Sequence, residues 1–493
     1  MTDALLNRLN RLCDTAADLT TDHALLDAVM TLRARLDEPL RVAIAGRVKA
    51  GKSTLLNALV GERLAPTDAG ECTRIVTWYR NSIGYDATAV LRDGTERSLR
   101  FHRGESALEI SLDGVALPDV DRLDVGWPSS RLENLILIDT PGLEGLDEQS
   151  SARTLRFLGL DDDGVGDVDA VIYLMRHMHR RDADFLEAFT DRSLSHPSPV
   201  NAVAVLSRAD EIGAARLDAL ASAATIAQRY AADERVRALC ATVLPVAGLI
   251  AETATTLREE EVATLRTLVA MPVAELDAML LSVDRFVDRE RSPLTPQVRG
   301  TLLSRFGIFG IRFAVTAMRD DELMTASELS RTLLAASGIK QLGRLLTEHF
   351  SARARVLKAR SVLAGLKDVA RRLARDDRRA GDGLLAAVEE VEATSRELSE
   401  LRLWHLAISG SVQFDEDEID EIRCLTGEGS VAERLGMGDG AGAVARETAL
   451  RRIEYWRARA AHPLTGRDLE EACEIVARSY EALYTQAGRS SGR

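Results

Sequence analysis

The eight residues from Gly46 to Ser53, Gly-Arg-Val-Lys-Ala-Gly-Lys-Ser, fit GxxxxGK[ST] and stand between an apolar run, Arg41 to Ala45, and a helical stretch, Thr54 to Val60. That context requires a strand, a glycine-rich turn and a helix whose first backbone N–H groups face an anion at its positive end. A buried strand feeding straight into a helix pairs with strands from further βα units, so the fold class is α/β with a mainly parallel sheet. Gly46, Val48, Lys49, Ala50, Gly51, Lys52, Ser53 and Thr54 then form a phosphate-binding loop, with Lys52 reaching the β- and γ-phosphates and the Ser53 hydroxyl ligating Mg²⁺. Composition sharpens the match: 58 of the 63 basic side chains are arginine, and Lys49 and Lys52 are two of only five lysines in 493 residues. A lysine kept at position 52 against that bias answers to chemistry.

Three further motifs follow in order. The run Leu135 to Ile138 delivers Asp139, placed to hold Mg²⁺ through water, and Asp139-Thr140-Pro141-Gly142 ends in a glycine whose N–H can meet a γ-phosphate. Thr73, just before the strand-like Ile75 to Tyr79, is the expected second hydroxyl for Mg²⁺, with Thr67 the competing candidate. Ser207-Arg208-Ala209-Asp210 follows the apolar run Val200 to Leu206 and sits where GTPases carry [NT]-K-x-D. The Asp210 carboxylate can accept from guanine N1–H and the 2-amino group, a donor pair that adenine lacks, so the nucleotide is expected to be GTP. Arg208 replaces the usual lysine and can stack on the base, while the short Ser207 weakens the brace to the phosphate loop. Val246 and Ala247, within Leu244 to Leu249, are expected to supply the last base-contacting loop. His177 and His179 read as a loop pair rather than a metal site.

The rest of the chain is helical in pattern. Apolar residues recur at three-and-four spacing through residues 4–37, and again from Leu342 to Leu373, with an expected turn from Asp376 to Gly383 and more helices to about Thr485. Three parts result: an N-terminal helix over 1–37, a nucleotide-binding domain over 38–350 and a helical bundle over 351–493, in which Trp404 and Trp456 read as core. A net charge of −14 argues against broad nucleic-acid binding. No run approaches the ~18 apolar residues that cross a bilayer, the N-terminus has no leader pattern, and five scattered cysteines read as reduced thiols, so the expected location is cytoplasmic.

The phosphate loop, the segment PTDAGECTRIVTWYR (66–80), DTPG and the long flanking helices together resemble the bacterial dynamin-like GTPases, and closely the mycobacterial isoniazid-inducible group. The resemblance implies Mg²⁺-dependent GTP hydrolysis coupled to self-association through the G domains, or to pairing with a dynamin-like paralogue. It also implies membrane remodelling at the inner face of the plasma membrane, a link to the isoniazid response, and an N-terminal helix that joins the C-terminal ones in a neck. Lys49, Lys52, Thr73 and Gly142 are the expected catalytic residues. Eukaryotic dynamins place a Gln and a Ser where this chain has Val48 and Lys49; Val48 cannot orient water, and the Lys49 ammonium is expected to supply charge near the β–γ bridge. Ten basic residues against three acids between Arg353 and Arg379 could meet an anionic membrane, with Arg375, Arg378 and Arg379 at the tip, or could pair with the acidic segment 382–400. The alternatives are a regulatory GTPase acting on a protein partner without lipid, and a P-loop ATPase.

Overall fold

The computed structural model describes residues 4–64, 75–103, 108–112, 114–141, 167–191, 199–288, 292–437, 442–463 and 465–490. The chain opens with α1 (Ala4–Asp18) and α2 (His23–Ala34), then enters β1 (Leu40–Gly46) and α3 (Lys52–Val60). Strands β2 (Val76–Asn81), β3 (Asp86–Leu91), β4 (Glu96–Ser98), β5 (Arg100–Arg103), β6 (Leu108–Ser111), β7 (Val120–Trp127), β8 (Leu135–Asp139), β9 (Ala170–Met175), β10 (Ala202–Ser207) and β11 (Val243–Val246) follow. Eight helices carry the later argument or the bundle: α4 (Gly248–Thr255), α5 (Pro296–Asp320), α6 (Ala354–Asp376), α7 (Arg378–Thr394), α8 (Arg396–Ser409), α9 (Glu416–Leu425), α10 (Gly442–Ala460) and α11 (Arg467–Ser490).

Nine strands form one sheet in the order β11-β10-β9-β1-β8-β2-β7-β3-β4. From β11 to β8 every neighbour is parallel, as the unbroken apolar runs require, and β1, β9 and β10 are buried at every position. The register brings the strand ends to one edge. Ile44 lies opposite Asp139, Gly46 opposite Leu174, Leu206 opposite Met175, and Ser207 opposite Val246. Beyond β8 the sheet turns mixed, with β2 antiparallel to β8 and β3 antiparallel to both β4 and β7. The sequence pattern missed β3 to β7, because β4, β5 and β6 are three or four residues long, β4 is exposed throughout, and β7 breaks the apolar run with Asp121, Arg122 and Asp124. An Asp93-Gly94 turn with Gly94 at φ +83° was the available signal for that hairpin.

Both sheet faces are covered. One face shares a continuous apolar core with α3 and with Leu403, Trp404, Trp456 and Tyr480 of the C-terminal helices. The other face packs against α4 and α5. α5 is long and apolar enough by composition to cross a membrane, yet Leu302, Phe306, Phe309 and Val315 are buried in that second core. A third core joins α1 and α2 to α6 and α7.

The long stripe from Leu342 is not one helix. It is interrupted by a π-turn at Leu346–Phe350 and a 3₁₀ turn at Ser351–Arg353, and the expected turn over 376–383 shrinks to Asp377, which caps α7 by accepting from Ala380 N–H at 3.0 Å. Gly381 serves contact rather than a turn: a Cβ there would fall 2.5 Å from the Ala374 Cβ of α6. Lys358, read from sequence as only a charge, donates to the carbonyls of Leu36 and Glu38 at 2.7 Å each and fastens α6 to the segment entering β1. Lys367 pairs with Glu392 of α7 at 2.7 Å.

At the π-turn, buried His349 joins sheet to bundle. Its Nε2 donates to the Val200 carbonyl at 2.6 Å, and its Nδ1 accepts from Trp404 Nε1–H at 2.8 Å. Arg353 lies 4.3 Å over the Trp404 ring and donates to Thr426 Oγ1 at 2.9 Å. Burial pushes the His349 imidazole down to about 3, so it stays neutral with both nitrogens satisfied. His349→Ala strands a carbonyl and an indole N–H, and is expected to cost about 2–4 kcal/mol in unfolding free energy. Denaturant melts followed by tryptophan fluorescence would measure the loss.

Candidate functional site

The site begins where β1 stops. Gly46 has φ +147°, and a Cβ there would lie 2.5 Å from the Leu174 carbonyl of β9, so only glycine lets β1 turn this close to its neighbour. The loop then rises, with Ala50 N–H bonding the Arg47 carbonyl, and Gly51 at φ +95° directs the chain into α3. Lys52 folds back over the loop, its Nζ donating to the carbonyls of Gly46 and Arg47 at 3.2 Å each. Burial lowers its ammonium from the ordinary lysine range, and Asp139 opposes the shift. A strongly anionic group at the loop would give this ammonium better partners than two carbonyls.

Asp139 ends β8 opposite Ile44. One carboxylate oxygen accepts from Ser53 Oγ at 2.9 Å, while the other is buried with no hydrogen-bond partner among the described residues. Burial raises this carboxyl, with Lys52 and the Ser53 bond pulling it back. A hydroxyl and a buried carboxylate with a spare oxygen, both hard donors beside a phosphate loop, fit a hydrated Mg²⁺. The next residue locks the arrangement, since Thr140 Oγ1 donates to the Ile44 carbonyl at 2.8 Å. Thr73, its competitor Thr67, and Gly142 lie outside the described residues.

The base end forms at β10 and β11. Ala50, Gly51, Thr54, Ser207, Arg208 and Asp210 line a cavity of 150 Å³ that Val246, Gly248 and Leu249 close on the far side. Arg208 stands at φ +52°, and its guanidinium donates to the Lys49 carbonyl at 3.0 Å. The weakened brace expected from Ser207 is therefore replaced: Ser207 Oγ bonds the neighbouring strand at Met175 O, 3.2 Å away, and Arg208 ties this motif to the phosphate loop. Lys49 is held at φ +61° by that bond, with Val48 exposed beside it. Ala247 does not line the cavity; it is buried, and its N–H bonds the Ser337 carbonyl. Gly248 and Leu249, one and two residues further on, line the cavity instead.

Asp210 is 5% exposed, and burial raises its carboxyl to about 6. A much larger cavity, 860 Å³, opens among α7, α8 and α11 beside Arg360 and His405, but it contains none of these motifs. The His177/His179 pair forms no metal-holding group among the described residues.

The Asp210 shift gives a pH signature. Its folded value lies above the usual carboxylate range, so the accepting, ionised form is lost as pH falls through about 6. At pH 5 only about a tenth of the free protein keeps that form, and GTP affinity is expected to weaken about tenfold relative to pH 7.5. Fluorescent-GTP titrations should show this drop, and Asp210→Asn should flatten it.

The comparisons with known proteins agree with this geometry. The dynamin family model matches residues 42–193. Over 456 residues, 92% of this chain and 91% of the relative, the chain is 38% identical to the isoniazid-induced protein IniC of Mycobacterium tuberculosis. A bacterial dynamin-like protein of Nostoc punctiforme is 30% identical over 159 residues, 28% of this chain and 20% of that one. The isoniazid-induced protein IniA of Mycobacterium tuberculosis is 32% identical over 146 residues, 27% of this chain and 22% of that one. The chain belongs to the dynamin family, as a bacterial dynamin-like GTPase related along nearly its whole length to IniC.

Proposed function

We propose that the chain transfers the γ-phosphoryl group of GTP to water at the loop Gly46 to Ser53, and that hydrolysis is coupled to self-association on an anionic membrane surface. One observation carries the catalytic part: Lys52, the Ser53–Asp139 pair with its spare buried oxygen, and Asp210 stand at or just beyond strand ends along one edge of the sheet. Lys52 binds the terminal phosphates, and backbone N–H groups of Val48, Lys49, Gly51 and Ser53 orient them. Ser53, and Asp139 through water, would hold Mg²⁺, which would neutralise charge building on the phosphate oxygens; Thr73 and Gly142, outside the described residues, are the sequence's candidates for the rest of that end. The Lys49 ammonium adds positive charge near the β–γ bridge, where Val48 offers no polar group. Asp210 reads guanine, Arg208 covers its face and fixes the loop, and Thr54 and Val246 close the cavity.

The working division is an N-terminal helix over 1–37, a GTPase domain over 38–350 and a helical part over 351–493. The α6–α7 hairpin supports the membrane reading. The basic strip there divides: Arg353, Lys358 and Arg360 are buried, Arg355 pairs with Glu428, Lys367 pairs with Glu392, and Arg371 and Arg372 face Asp368. Arg375, Arg378 and Arg379 remain exposed around Asp377, with Arg378 3.6 Å from Asp382. Each basic residue near an anionic lipid surface is worth about 1 kcal/mol, which suits peripheral, reversible attachment at the inner face of the plasma membrane. Association would run through the GTPase domains of two copies or of a dynamin-like paralogue, and the relatives' names extend the proposal to the isoniazid response.

Specific GTPase activity should rise with protein concentration and rise again with anionic liposomes. Replacing Arg375, Arg378 and Arg379 by Ser should remove only the second increase, together with liposome flotation. Activity that is flat in concentration would count against self-association, and flotation that survives the triple replacement would count against the tip. Lys49→Ala should lower kcat about tenfold or more with little change in KM; an unchanged kcat removes Lys49 from the mechanism.

A further inference from the structure

By length α5 is one helix, but by backbone it is two. Gly307 has φ +62° and ψ 170°, a region essentially restricted to glycine, and the helical dihedrals resume after it. The break lies at the base end of the nucleotide cavity. A Cβ placed on residue 307 would sit 3.5 Å from Leu249 Cδ2 and 3.8 Å from Asp210 Oδ2, and both of those residues line the cavity.

The break is pinned on its N-terminal side. The Arg305 carbonyl accepts from the hydroxyl of Thr253, a fully buried residue of α4. The Arg305 guanidinium pairs with Glu261 at 2.6 Å and donates to the Thr256 carbonyl at 3.0 Å. Phe306 and Phe309, on either side of the glycine, are both buried. Helix α4 starts at Gly248, inside the base-contacting loop, so the element that supplies Leu249 to the cavity also supplies the hydroxyl that holds the break.

A carboxylate reads a base only if its two oxygens stay in the plane of the donors. Asp210 sits on a short 3₁₀ turn after β10, with Arg208 and Glu211 as charged neighbours and a hydrogen bond from its own backbone. We propose that the Gly307 break is a specificity-determining element: it carries the α5 backbone past Leu249 and Asp210 Oδ2 with only a methyl's breadth between them, which bounds the outer side of the carboxylate in the orientation that guanine N1–H and the 2-amino group require. Gly307 and Thr253 are thus positioning residues. A side chain at 307 would fill that space against Asp210 and also force the backbone out of its region. Loss of the Thr253 hydroxyl would release the Arg305 carbonyl and let the break shift.

The inference rests on Asp210 as the base reader, so the test compares GTP with ITP, which lacks only the 2-amino group. Competition titrations against a fluorescent GTP give the affinity ratio for the wild type and for Asp210→Ala, Gly307→Ala, Thr253→Val and Gly300→Ala. The last lies in the same helix, with nothing within 4 Å of an added Cβ. The wild type should favour GTP by about tenfold or more, as a hydrogen bond to a charged acceptor implies. Asp210→Ala and Gly307→Ala should bring the ratio to within about twofold of unity, Thr253→Val should give an intermediate value, and Gly300→Ala should leave it unchanged. Should Gly307→Ala not fold, Thr253→Val decides alone, with Thr253→Ser expected to restore the ratio. Folded Gly307→Ala and Thr253→Val proteins with the wild-type ratio would overturn the inference while Asp210 stands as the reader. A wild-type ratio near unity, or one that Asp210→Ala does not change, would overturn the base-reading assignment and this inference with it.

Discussion

A carboxylate inside a protein must hold a proton, a partner or a cation, because burial penalises bare charge heavily. Asp139 has half of what it needs: Ser53 bonds one oxygen, and the other is buried without a partner. Much of the architecture serves to keep it there. The parallel register sets Asp139 opposite Ile44, Thr140 fixes the strand end to the Ile44 carbonyl, and the glycine at 46 lets the loop pass beside β9. Lys52, drawn toward its own loop carbonyls, is the nearest named source of compensating charge. A phosphate at Lys52 and a divalent cation at Ser53 and Asp139 would together supply the partners that burial demands of these groups.

The phosphate loop and its order relative to Asp139 and Asp210 were legible in the sequence because each needs a fixed residue type at a fixed place on a strand end. The parallel strands were equally legible, since burial on both faces leaves unbroken apolar runs. What escaped was set by tertiary contact. Nothing local announces that Arg208 braces the Lys49 carbonyl in place of Ser207, that Lys358 caps two carbonyls ahead of β1, or that a glycine inside an apolar helix stands against Asp210. The strands β3 to β7 escaped for another reason: β4 is exposed throughout, and β3 and β7 mix buried with half-buried positions without a clean alternation, so their pattern is weak.

The helical part is less separate from the GTPase domain than its periodicity suggests. The sheet core continues into α8 to α11, and His349 ties Trp404 to the turn that starts β10. That strand ends in Ser207, Arg208 and Asp210. The bundle and the Ser207–Asp210 segment are thus linked through one strand, whereas α1 and α2 pack on α6 and α7 in a core of their own.

The most direct test of the metal seat is the Mg²⁺ dependence of GTP affinity in wild type and Asp139→Asn, a substitution that keeps the shape and removes the charge. Mg²⁺ should tighten GTP binding to the wild-type chain, and the tightening should vanish in the variant while Mg²⁺-free affinity is retained. An Asp139→Asn protein that still gains affinity from Mg²⁺ to the wild-type extent would contradict the account.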